Sequence, residues 1–183
     1  MSLDENERVR VWNTFFKLAR DEAVFVKQLQ DPSWETPERE LDGGMLGENS
    51  IHSLAVIAWC CLALEARVSH LIEELKEQNV LSKDEAWSVH FLRTKEKWAL
   101  LPKLSGKTTG VSFDHPPHQA ISELCGLRND LFHVNYNQLV EKLPSPRKAV
   151  SLFNHFVEAM EDMNVILGRH PEPDPNVLSI TLK

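Results

Sequence analysis

Between Val9 and Val26, apolar residues return at steps of three and four: Val9, Trp12, Phe16, Ala19, Ala23 and Val26. That spacing places them on one face of a helix and predicts a first helix over residues 5–30. Asp31-Pro32 ends it. Residues 31–49 hold two prolines, Gly43-Gly44 and Gly47, and are expected to form a long loop pinned by Trp34 and Leu41.

A second helix is predicted over 50–79, capped by Asn49 or Ser50. Its stripe runs through Ile51, Leu54, Ala58, Cys61, Leu64, Val68, Leu71 and Leu75. Ala55, Ile57, Trp59 and Leu62 widen the stripe over most of the circumference. A helix that is apolar nearly all round is central in its fold or lies in a subunit interface. A third helix opens on the capping box Ser82-Lys83-Asp84-Glu85, carries Trp87, Phe91, Trp98 and Leu101 inward, and is stopped by Pro102. After a loop over 105–113, Asp114 caps a fourth helix with Pro116 and Pro117 in its first turn. This helix turns Ile121, Leu124, Leu127 and Leu131 inward and frays near Asn135–Asn137. A fifth opens at Ser145-Pro146 and runs to Leu167, with Gly168 as its C-cap; Val150, Phe153, Val157, Met160, Met163 and Leu167 form its stripe. The tail carries Pro171, Pro173 and Pro175, then Val177-Leu178-Ser179-Ile180.

These elements predict an all-α, up-and-down bundle of about five helices without a sheet. One domain over 1–168 is expected, followed by a proline-rich tail over 169–183. The 183 residues, 42% hydrophobic and 26% charged, suit one soluble domain with a core. The longest apolar run, Leu54 to Leu64, stops at Glu65, so no membrane association is expected. The first residues lack a basic stretch followed by an apolar one, so no secretory signal is expected and a cytoplasmic location follows by default. Cys60, Cys61 and Cys125 sit in apolar helical contexts and read as buried thiols without a disulfide framework. A net charge of −7 argues against non-specific coating of nucleic acid, which rests on many lysine and arginine contacts to phosphate. It allows a confined cationic site.

The candidate chemistry lies in Arg128-Asn129-Asp130-Leu131-Phe132-His133. Histidine can act as acid or base near neutrality, and the planar fork of arginine suits phosphate. On an ideal helix Arg128 and His133 stand about 140° apart, whereas Asn129 and His133 share a face. One regular helix therefore does not converge the arginine and the histidine; unwinding near His133, or a second copy, would. Gly126, two residues ahead, suggests close approach of another helix.

Leu127-Arg128-Asn129-Asp130-Leu131-Phe132-His133 resembles the signature of the HEPN family, helical domains named for higher eukaryotes and prokaryotes nucleotide binding. Its pattern is an arginine, then Asn, Asp or His, then a histidine four to six residues on. The helix Ala58-Trp59-Cys60-Cys61-Leu62-Ala63-Leu64-Glu65-Ala66-Arg67-Val68 resembles the family's helix with an acidic residue after small and apolar ones. The resemblance covers roughly 50–168. It implies a homodimer that joins two motifs across its axis and cleaves RNA without a metal, as in toxin–antitoxin and defence systems. His133 would then be the general acid or base, Arg128 would stabilise charge on the phosphate, and Asn129 would orient one of them, with Glu65 and Asp130 in support. It implies no cofactor, and a partner of the antitoxin or nucleotidyltransferase type. The family also contains non-catalytic interaction and nucleotide- or RNA-binding modules, which the acidic balance here keeps in play.

A third alternative is a helical metal-binding protein with three histidines drawn from His52, His70, His90 and His155. His115-Pro116-Pro117-His118 reads as a solvated helix start rather than a metal site. Lys103, Lys107 and Thr108 near Gly106 do not form a phosphate-binding loop.

Overall fold

The computed structural model describes residues 5–29, 47–108, 110–133 and 143–169, with their side chains except those at 5, 6, 8, 9, 29 and 131–133. The chain forms an all-α bundle. Among the described residues there are six helices and no strand: α1 (Glu5–Leu29), α2 (Glu48–Glu77), α3 (Lys83–His90), α4 (Thr94–Leu104), α5 (His118–His133) and α6 (Pro146–Ile166). The expected roles of Trp34, Leu41 and the 177–180 segment, the fraying near Asn135–Asn137 and the side chain of Val9 lie outside the described residues.

α2 is the centre and packs against all five other helices. By length and composition it could cross a membrane; here its neighbours bury Val56, Ile57, Cys60, Leu64, Val68 and Leu71, while Ile51 and Leu62 stay exposed. Its central position accounts for the buried part of its apolar surface. Phe16 of α1 meets Phe153 and Phe156 of α6 at 5.7 and 5.6 Å, closing the core opposite α5. Arg67 of α2 is buried yet served on two sides. Its guanidinium lies 4.6 Å from the Trp12 ring centroid, and its Nη2 donates to Asn164 Oδ1 of α6 at 2.9 Å. A buried cation of this kind needs both the π face and the acceptor.

Helix ends follow the local chemistry. Ser82 and Glu85 form the expected capping box at α3, and Ser145 Oγ accepts from Lys148 N–H at α6. α2 starts two residues earlier than the sequence suggests: the Gly47 carbonyl takes the amides of Ser50 and Ile51, and Glu48 sits at the positive end of the helix dipole. α2 and α6 end alike. Asn79 (φ 56°) and Gly168 (φ 73°) adopt the left-handed conformation. The next amides, of Val80 and Arg169, reach back to Leu75 and Asn164 carbonyls, which satisfies groups that a helix end otherwise leaves unpaired.

Three expectations are corrected. The single third helix is two: the chain turns at 91–93, where Arg93 is extended and its N–H donates to Glu96 Oε2 at 2.8 Å, starting α4 afresh. The break resets the helical phase. Trp98 and Leu101 are buried, whereas α3 turns Ala86 and Val89 inward and leaves Trp87 and Phe91 65% and 69% exposed. Pro102 does not stop α4, which runs on to Leu104; so close to the C-terminus the missing N–H removes one bond without preventing the last turn. Asp114 does not cap α5, which begins at His118. Pro116 and Pro117 disfavour helical geometry in the residue before each, keeping His115 and Pro116 outside.

Candidate functional site

Arg128 and Glu65 are 63 positions apart in sequence and meet where α5 crosses α2. Arg128 Nη2 lies 3.0 Å from Glu65 Oε1, with the two side chains 44% and 34% exposed. The crossing is held by a thiol and a carbonyl. Cys61, one turn before Glu65, donates from Sγ to the Leu124 carbonyl at 3.4 Å. In α-helix geometry that carbonyl also takes the amide of Arg128. One acceptor thus ties the backbone beneath the arginine to the turn beneath its carboxylate partner.

The surroundings are part apolar, part cationic. Burial, and then the nearby Cys125 and Glu65, push the Cys61 thiol up to about 12, opposed by Arg128. Burial and Glu65 push Cys125 up as well, opposed by Lys95 and Arg128. Cys60, deeper still, is raised by burial and by Cys61. These are neutral structural thiols, and all three are free. From α4, Lys97 is lowered by burial and raised by Glu65, so Glu65 is flanked by cations from two helices. Lys95 bonds Ser122 Oγ of α5 at 2.7 Å and lies 4.7 Å from the Phe113 ring centroid, bracing α4 against α5.

Of the residues expected from sequence, Arg128 and Glu65 are brought together, Asn129 is exposed and Asp130 half-buried on the same helix. α5 stays helical through His133, so the backbone does not unwind there and the two Cα positions keep an angular separation of about 140°. The side chain of His133 lies outside the described residues. Lys95 and Lys97 had no sequence signal, since only the turn at 91–93 carries α4 over to α5. Gly126 does not receive another helix: a Cβ there would meet no atom within 4 Å.

The histidines expected as metal ligands are dispersed. His52 Nδ1 pairs with Glu22 Oε2 at 2.6 Å, and its Nε2 lies 4.0 Å from Glu48. His70 lies 3.6 Å from Glu74. Among the described residues no three His, Cys, Asp or Glu side chains gather to share an ion. His118 is not solvated but buried. Trp98 Nε1 donates to its Nδ1 at 3.2 Å, so the ring proton is on Nε2, 2.8 Å from Asp162 Oδ2. This chain of bonds joins α4, α5 and α6.

The chain matches no family model, no curated protein and no solved structure.

Proposed function

We propose that this chain is a HEPN-like domain whose homodimer cleaves single-stranded RNA without a metal. The observation that carries the reading is Arg128: its guanidinium is anchored to Glu65 at 3.0 Å, yet its side chain stays 44% exposed. It stands beside exposed Asn129 and five residues before His133 on one continuous helix. An arginine fixed in place and open to solvent suits an anionic phosphate better than a wholly buried one.

In the reaction, His133 takes the proton of a ribose 2′-OH as that oxygen attacks the phosphorus. The 2′-O–P bond forms, the P–5′-O bond breaks, and the 5′ oxygen leaves with a proton from a second histidine or water. Arg128 meets the negative charge that grows on the non-bridging oxygens. The divergence of Arg128 and His133 around α5 favours a site built from the arginine of one chain and the histidine of another. An antitoxin of the nucleotidyltransferase type is the partner this reading suggests.

A second reading, a non-catalytic RNA-binding or interaction module, is favoured by one observation. Glu65 meets the same guanidinium from within the chain and competes with phosphate for it. Incubation with single-stranded RNA in excess EDTA separates the two. Cleavage that persists in EDTA and falls by about 100-fold or more in both His133→Ala and Arg128→Ala supports the nuclease. A folded dimer that cleaves no RNA selects the second reading.

A further inference from the structure

Beside the Glu65–Arg128 crossing, α2, α3 and α4 enclose a groove of about 510 Å³, open to solvent. It begins one turn along α2 from Glu65, at Ser69, and Lys97 belongs both to its wall and to the cationic flank of Glu65. Its lining holds three lysines, Lys76, Lys83 and Lys97, and a single carboxylate, Glu73, which pairs with Lys76. On a chain of net charge −7 this is a local inversion of sign.

The outer wall is aromatic. Trp87 is 65% exposed, yet its indole is not loose. His90 lies nearly parallel to it at 6.0 Å and 12°, and Phe91 meets it edge-on at 5.0 Å and 87°. An exposed tryptophan held by two ring neighbours leaves apolar area in water, a cost that a buried role would have avoided. A flat face beside ammonium groups matches a strand of stacked bases joined by phosphates.

We infer that this groove binds single-stranded RNA, with a base stacked on Trp87 and phosphates set against Lys76, Lys83 and Lys97, and passes the strand to Arg128. The inference rests on the RNA reading above and assigns it an entry path. Stacking on Trp87 selects single strands: a duplex keeps its bases stacked inward, away from Trp87.

The test uses the full chain and a fluorescein-labelled twelve-nucleotide oligo(rU), read by fluorescence anisotropy. Trp87→Ala is expected to weaken binding by between about 5- and 150-fold, the range for loss of one stacked base. Lys83→Gln and Lys97→Gln are each expected to weaken it severalfold and to lower the salt slope by about 0.7. Circular dichroism of each variant shows whether α3 is retained, and Trp87→Phe, which keeps a ring, is expected to recover most of the affinity. Unchanged binding in Trp87→Ala overturns the inference. So does uridine monophosphate binding as tightly as the strand, or variants that break the homodimer while RNA affinity holds. The two readings fail separately. If groove variants bind and cleave normally while His133→Ala is inert, only the entry path is wrong. If the wild type binds through Trp87 but cleaves nothing, the groove stands and the nuclease falls.

Discussion

The Arg128 guanidinium and the Glu65 carboxylate stand 3.0 Å apart across the α5–α2 crossing. The arginine of the motif is therefore aimed by a residue from a different helix. Both side chains are at least a third exposed, so the pair contributes little to stability, about 1 kcal/mol or less. Its effect is on position and charge. Glu65→Gln keeps the shape and removes the competing anion from Arg128 and Lys97. RNA affinity at low salt should rise between about two- and fivefold, the worth of one removed surface charge. Anisotropy titrations of wild type and variant check this, and a weaker-binding variant would contradict it.

If each site takes Arg128 from one chain and His133 from the other, mixing two dead variants restores activity. An Arg128→Ala chain paired with a His133→Ala chain rebuilds one complete site and leaves one empty. After subunit exchange, half the dimers are mixed, so about a quarter of wild-type activity is expected under two-fold symmetry. Sites confined to single chains would recover nothing.

Gly126 lies on the exposed side of α5, with open space where a Cβ would go. Gly126→Ala should stabilise the fold by about 0.5–1 kcal/mol through helix propensity. In a domain of this size that raises Tm by about 1–4 °C. A fall in Tm would mean that another surface meets the glycine.

The Trp98–His118–Asp162 chain is unequal in its two links. His118 is 6% exposed, while the Asp162 side chain is 48% exposed. His118→Ala strands the Trp98 indole N–H and opens a cavity, and should cost about 2–4 kcal/mol in urea unfolding. Asp162→Asn keeps an acceptor in water's reach and should cost less than about 1 kcal/mol. Equal losses would show that the carboxylate, not the ring, holds the helices.

Burial moves the Cys61 thiol from 9.0 to about 12. The folded chain keeps its proton after the unfolded chain has released it. The resulting stability is complete below about pH 9 and is lost as pH rises towards 12. A Cys61→Ala variant lacks this dependence, so its unfolding free energy should fall less steeply over that window. In the native protein at pH 8, Cys61 should resist iodoacetamide and react once urea unfolds the chain.

Sequence periodicity was enough to find α1, α2 and α6 as long helices, and side-chain caps were legible at Ser82 of α3 and Ser145 of α6 but not at the start of α2, where Gly47 takes the place of Asn49 or Ser50. It failed where a short backbone event decides the outcome. Nothing in the Trp87–Leu101 spacing shows the turn at Arg93, and that turn alone puts Trp87 and Phe91 outside and Trp98 inside. The motif residues were legible as a local pattern, but their partner was not. Glu65 could be singled out, yet its contact with Arg128 depends on how α2 and α5 cross, which no local rule fixes. His118 was misread for the same reason: its two partners come from residues 98 and 162, and a histidine beside two prolines gives no sign of either.

Glu65 and Arg67 are two residues apart, so they leave α2 on nearly opposite sides, about 200° round the axis. The first is fastened to α5 and the second to α1 and α6. α2 is thus keyed like a shaft in two slots and cannot roll without breaking an ion pair on one side and a buried hydrogen bond on the other. The break at 91–93 is where the chain leaves that fixed axis and turns α4, with Lys95 and Lys97, back towards α5.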